Sequence, residues 1–173
     1  TKFHSGAGYQ YEDSVIYGFT HTNKGHWNLC HIPLLPVTGT PTPGDYCSPF
    51  SHERESAAPG YYQVFLDRYG VDAQLSSTLR CAFHKYTYPA GAAASLLADL
   101  QRSNEHVRAW DIRKEGDNVF AGWQQTGEKM YFYAVANRPV TGIEPVVEGD
   151  REVRIVRFGE GDGALELRIG FSF

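Results

Sequence analysis

Two stretches alternate so strictly that few folds can accommodate them. In one, Val71, Ala73, Leu75, Ser77 and Leu79 alternate with Asp72, Gln74, Ser76 and Thr78; in the other, Leu165, Leu167, Ile169 and Phe171 alternate with Glu166, Arg168 and Gly170. A period of two sends every second side chain to one face of a strand, so each stretch predicts a strand with one face in a core and one in water. Residues 61–66 and 130–136 are apolar on both faces and predict central strands covered on both sides. Turn signals separate these runs: Asp67-Arg-Tyr-Gly70, Lys114-Glu-Gly-Asp117, the tight Thr126-Gly127 and the looser 159–163. Residues 92–100 are the only helix candidate, and 96–100 read equally well as a buried strand. Pro33 and Pro36 bracket Leu34-Leu35, which predicts an edge strand or an extended crossing segment. The expectation is all-β: about ten strands in two packed antiparallel sheets, a sandwich.

The totals bound the rest. With 173 residues, 42% of them hydrophobic and 14% aromatic, the chain can bury the core of one ordinary domain. A net charge of -4 without any basic run leaves nothing to neutralise phosphates, which excludes nucleic acid as a partner. No apolar run approaches the roughly 18 residues of a membrane span. Cys30, Cys47 and Cys81 have no metal-type spacing, and either one disulfide with a spare thiol or three buried thiols fits them. Residues 37–49 form a long loop rich in Thr, Pro, Gly and Ser, of a length often given to function. Residues 1–14 open in loop and strand material, and the chain stops at Phe173 at a strand end. That predicts a domain truncated at both ends, residues 1–173 being part of a larger protein.

Chemistry concentrates in two motif-dense stretches, residues 17–30 and 48–66, which crowd His, Trp, Tyr, Asn and carboxylates into loops leading into apolar strands. His21, His26 and His31 are spaced by five, matching no helix-face metal pair, so no metal ligand is assigned. The segment Asn23-Lys-Gly-His-Trp-Asn28 offers an indole face beside amide and imidazole donors at a tight turn. A sugar, with its apolar C–H face and its hydroxyls, takes that combination, although Trp27 could equally plug the sandwich edge. Glu53 and Glu55, two apart, share a face of an extended segment beside His52. They precede Ala-Ala-Pro-Gly, which favours a structural or interface role over the paired carboxyl groups of glycoside hydrolysis. Asp99, Asp111 and Asp117 sit at strand ends or turns with no distinguishing spacing, and no nucleophile–His–acid arrangement stands out.

These residues carry a resemblance. Residues 8–22, Gly-Tyr-Gln-Tyr-Glu-Asp-Ser-Val-Ile-Tyr-Gly-Phe-Thr-His-Thr, resemble the run G-Y-x-Y-x-D-S-x-I-x-G-F-S-H-T of glycoside hydrolase family 92, the calcium-dependent exo-α-mannosidases. Residues 48–66 resemble that family's S-P-F-S-H-E-x-E-x-A-x-P-G-Y-Y-x-V-x-L, and 70–75 and 80–89 continue it in order. The resemblance covers most of residues 8–136. It implies an N-terminal β-sandwich of the galactose-mutarotase type, packed in the family against a larger α/α-toroid with the active site between them. It further implies inverting hydrolysis of terminal α-mannosides of glycans by a secreted or periplasmic enzyme. The catalytic glutamate and aspartate and the calcium ligands are then expected in the helical domain, outside this chain. The chain departs from the family pattern after His21-Thr22, where Asn23-Lys-Gly-His-Trp-Asn-Leu-Cys30 replaces a Gly-rich loop, so linkage preference is left open.

On this reading His21, Thr22, Asn23, His26 and Trp27 are sugar-facing, with Trp27 stacking on a ring and His26 and Asn23 bonding hydroxyls. His52 and Glu53 brace the domain interface. A free-standing carbohydrate-binding module and an aldose-epimerase-like enzyme are the alternatives; the second needs an acid/base pair on one concave face.

Overall fold

A computed structural model of the chain describes residues 10–24 and 27–173, with the side chains of 23, 24 and 27–30 outside that description. Among the described residues there are sixteen strands, numbered in chain order, and one short 3-10 turn, His52–Arg54. The larger sheet runs β11 (Ala109–Gly116), β12 (Val119–Gln125), β13 (Lys129–Ala136), β16 (Leu165–Ser172), β9 (Cys81–Thr87), β8 (Val71–Ser77), β7 (Tyr61–Leu66), β6 (Glu55–Ala58). The smaller runs β14 (Val140–Glu148), β15 (Arg151–Phe158), β10 (Ser95–Ala98), β4 (Leu34–Val37). Every pairing in both is antiparallel. Two ribbons complete the set: β1 (Val15–Ile16) with β5 (Ser48–Pro49), and β2 (Thr22–Lys24) with β3 (Trp27–His31).

The alternation read from sequence is what folds the larger sheet. In β13, Met130, Phe132, Ala134 and Ala136 are buried while Tyr131 and Tyr133 face outward; in β16, Leu165, Leu167 and Ile169 are buried. These inward rows meet Leu35, Leu96, Leu97, Val153 and Ile155 of the smaller sheet in one continuous core. The structure is thus an antiparallel β-sandwich, as expected.

Several local expectations are corrected or resolved. Residues 130–136 are not covered on both sides: Tyr131 is 44% and Tyr133 54% exposed, since a phenol puts an apolar ring on the sheet and its hydroxyl in water. Residues 61–66 likewise bury one face, through Val64 and Leu66, with Tyr61 exposed. Leu79 leaves the alternating pattern and is 90% exposed, because β8 ends at Ser77 and the Thr78 N–H donates to the Cys81 carbonyl at 2.8 Å to close a turn. Residues 92–100 contain strand β10, buried on both faces between β15 and β4. The proline-bracketed Leu34-Leu35 does form an edge strand, β4. Cys47 and Cys81 are free thiols.

Candidate functional site

The two motif-dense stretches meet. Phe19, Thr20 and His21 from the first, with Ala58, Gly60, Tyr61 and Tyr62 from the second, line one cleft of about 300 Å³, floored by Leu75, Ala82 and His84 of the larger sheet. Chain reversal at Gly60, which takes φ +77°, allows β6 and β7 to pair and brings both tyrosines to the cleft. His21 lies flat on Phe171, with ring centroids 4.6 Å apart, and its Nε2 donates to the Leu79 carbonyl at 3.2 Å. His84 bonds the Tyr86 hydroxyl at 2.7 Å, and burial, reinforced by His21, lowers its pKa to about 3. It is therefore neutral at ordinary pH. Among the described residues the cleft walls combine phenols, imidazoles and hydroxyls, and no carboxylate lines it.

A second network holds Tyr62 in that wall. Its hydroxyl donates to Glu55 Oε1 at 2.6 Å, and Glu55 Oε2 lies 2.6 Å from His52 Nδ1. The other nitrogen of His52, Nε2, is 2.6 Å from the Tyr11 carbonyl, and the Tyr11 ring stacks on the imidazole at 4.1 Å. A carboxylate and a carbonyl both accept, so both ring nitrogens must donate and His52 is an imidazolium. Accordingly its pKa is raised, first by the hydrogen bond to Glu55. His52 thus braces the domain internally. Glu53 is exposed, and its backbone N–H donates to Ser51 Oγ at 3.3 Å to cap the 3-10 turn.

The remaining candidates lie on the β2–β3 ribbon. Thr22 Oγ1 is 3.1 Å from His31 Nδ1, across the last pair of the ribbon. Asn23 is in β2 and Trp27 opens β3, but their side chains, and His26 entirely, lie outside the described residues. At the root of the ribbon Ile32 adopts φ +52° while buried. A β-branched residue there costs about 1–2 kcal/mol. Its N–H donates to Gln124 Oε1 at 2.7 Å.

Sequence reasoning left several of these residues unassigned. Tyr61, Tyr62 and Gln124 gain their roles from strand pairing, whereas Glu55, read from its two-residue step after Glu53 as structural or interface, is structural: it holds His52 and Tyr62. Asp99, read as an ordinary strand-end acid, is fully buried. It accepts from the Tyr46 hydroxyl and the Arg151 guanidinium, each at 2.7 Å, anchoring the 37–49 loop to β15. Burial pushes its carboxyl pKa up against those two partners. Among the described residues no three His, Cys, Asp or Glu converge to hold a metal ion.

The profile described as Glycosyl hydrolase family 92 N-terminal domain matches residues 1–172. The chain belongs to that family. Among solved structures similar to this family 92 domain, the GH92 α-mannosidase BT3965 from Bacteroides thetaiotaomicron gives a TM-score of 0.81 at 24% identity, over 96% of this chain and 28% of that one. The GH92 glycosyl hydrolase ccman5 gives 0.78 at 25% identity, over 96% and 27%. The GH92 inverting mannosidase BT2199 from Bacteroides thetaiotaomicron gives 0.77 at 21%, over 98% and 26%. BT3965 is also known in complex with mannoimidazole. The family 92 domain thus spans about a quarter of the length of these enzymes. No curated protein sequence matches the chain.

Proposed function

We propose that this family 92 domain is the substrate-binding, non-catalytic N-terminal part of an inverting exo-α-mannosidase that hydrolyses terminal α-mannosides of glycans. The observation that carries the reading is the cleft in which the two motif stretches converge. Its phenols, imidazoles and hydroxyls suit a neutral polyol with an apolar C–H face. Glycosidic cleavage in most families needs two carboxyl groups on opposite sides of the bond, and among the described residues this cleft is lined by none. Binding is therefore the role its chemistry supports, with acid, base and calcium supplied by a helical domain of the same protein. In this reading His21, with Tyr61 and Tyr62, forms one wall and Thr22 stands at the start of the adjoining ribbon, while Asn23, His26 and Trp27 are assigned to the sugar from the sequence alone. His52 and Glu53 sit beside the surface that meets the helical domain. That related enzymes are mannosidases, one of them solved with mannoimidazole, supports this substrate class.

The test is mannose release from α-mannobioses by the full-length protein, with and without a calcium chelator, beside residues 1–173 alone. Calcium-dependent release by the full-length protein and none by residues 1–173 is expected. Release by residues 1–173 would overturn the non-catalytic assignment. No release by either would overturn the substrate.

A further inference from the structure

The ribbon's root is held by two buried fixtures, one on β12 and one in the turn that follows it. Ile32 is the one non-glycine residue with positive φ among the described residues, and a β-branched side chain stays there only when its surroundings compel it. Gln124 holds its backbone N–H. The Gln124 amide is fully buried on the core face of β12. Its Oε1 accepts the Ile32 N–H at 2.7 Å, while its Nε2 donates to the Leu100 carbonyl at 2.9 Å and the Arg102 carbonyl at 3.2 Å. One side chain thus clamps the end of the ribbon against the segment that follows β10.

Two residues further along, Thr126 makes the second fixture. Its hydroxyl donates to Glu105 Oε2 at 2.8 Å, so it must accept from His31 Nε2, 3.1 Å away. On the other side of the ring, His31 Nδ1 lies 3.1 Å from the Thr22 hydroxyl oxygen, and Nε2 lies 3.9 Å from the Glu105 carboxylate. A continuous hydrogen-bonded chain therefore links Thr22, His31, Thr126 and the Glu105 carboxylate, with His31 donating to Thr126 and Thr126 to Glu105. Each member is polarised by the next toward a negative charge. Thr22 and His31 are the ribbon's terminal pair, so this chain fastens both of its strands at once.

We propose that Gln124 and Thr126 are positioning residues for sugar binding: they fix the angle at which the β2–β3 ribbon leaves the sandwich beside the cleft. Neither touches the sugar. The inference rests on the reading that the ribbon is sugar-facing. It separates two duties along one short stretch of β12 and its turn, ordinary core packing by Phe120 and ribbon alignment by the buried polar side chains at 124 and 126.

The experiment compares Thr126→Val, Thr126→Ser, Gln124→Leu and, as a control on the reading itself, Trp27→Ala, all in the full-length protein. KM and kcat for α-mannoside hydrolysis and Tm are read together. Thr126→Val keeps the volume and removes the hydroxyl, so it guards against the case in which Gln124→Leu does not fold. A ribbon that binds substrate and transition state alike affects KM alone. Thr126→Val breaks both hydrogen bonds of that hydroxyl and is expected to raise KM about fivefold or more with kcat within about twofold. Thr126→Ser is expected to restore the parent KM, and folded Gln124→Leu to raise it further. An unchanged KM in Thr126→Val beside a raised KM in Trp27→Ala overturns the positioning role and leaves the sugar-facing ribbon standing. A fall in Tm with KM unchanged does the same, as does failure of Thr126→Ser to rescue. An unchanged KM in Trp27→Ala overturns the reading of the ribbon, and the inference with it.

Discussion

Gly122 is where β11 and β12 approach too closely for any side chain. A Cβ built there would lie 2.1 Å from the Asp111 carbonyl oxygen, 2.9 Å from the Ile112 Cα and 2.9 Å from Phe132 Cε1. Two of these three atoms are backbone, which cannot rotate aside. Gly122→Ala must therefore push β11 off β12 at the Ile112–Gly122 pair. Overpacking of this kind costs about 1–3 kcal/mol, and loosening one or two ladder hydrogen bonds adds about 1 kcal/mol each. Alanine returns only about 0.5–1 kcal/mol through its smaller backbone entropy loss in a strand. The net is a loss of about 2–4 kcal/mol, and at about 2–4 °C per kcal/mol for a domain of this size Tm falls by roughly 5–15 °C. Urea titration of the parent and Gly122→Ala, followed by tryptophan fluorescence, measures it, with an unchanged m-value expected. A midpoint within experimental error of the parent would refute the reasoning, because β11 would then be free to move and the close approach would constrain nothing.

Other outcomes follow from the same geometry. The raised pKa of His52 stabilises the fold fully below its unfolded value of about 6.5, and that contribution is lost as pH rises through the folded value. Melting curves from pH 5.5 to 9 should therefore show a decline on the alkaline side that His52→Gln flattens; identical slopes would sink the imidazolium assignment. Tyr62→Phe removes the donor to Glu55 Oε1 and is expected to destabilise the domain by about 1–2 kcal/mol and to weaken mannoside binding by the full-length protein. Calorimetric affinity equal to the parent's would take Tyr62 out of the site. Leu79→Ala, at 90% exposure, should change stability by less than about 0.5 kcal/mol, whereas Leu97→Ala, 1% exposed, should cost about 2–5 kcal/mol in chemical denaturation. Comparable losses would mean that residues 78–81 are packed and not in an open turn.

Much of the scaffold was legible because strand periodicity is local. The inward rows of β8 and β16, the turns at 67–70 and 126–127 and the edge position of β4 all rest on neighbours within a few residues. Errors fell where that locality ends. Leu79 continues the alternation on paper, but the chain turns before reaching it. Tyr131 and Tyr133 count as apolar in a sequence window, yet their outward face has no second layer over it among the described residues.

The candidate site divides along the same line. Motif content alone singled out residues 17–30 and 48–66 and the resemblance to family 92, because long runs in a fixed order need no coordinates to be compared. Their convergence on one cleft was invisible, since it depends on β7, β8 and β9 pairing and on His21 packing against Phe171, 150 positions along the chain. The same holds for Gln124 and Thr126, which look like ordinary residues approaching a hairpin turn until pairing sets them against Ile32 and His31. A sequence determines which face each side chain takes within its own strand, because that is set by backbone geometry over two residues. Which buried polar groups find each other is decided only when distant strands close on one core and each desolvated donor must meet an acceptor.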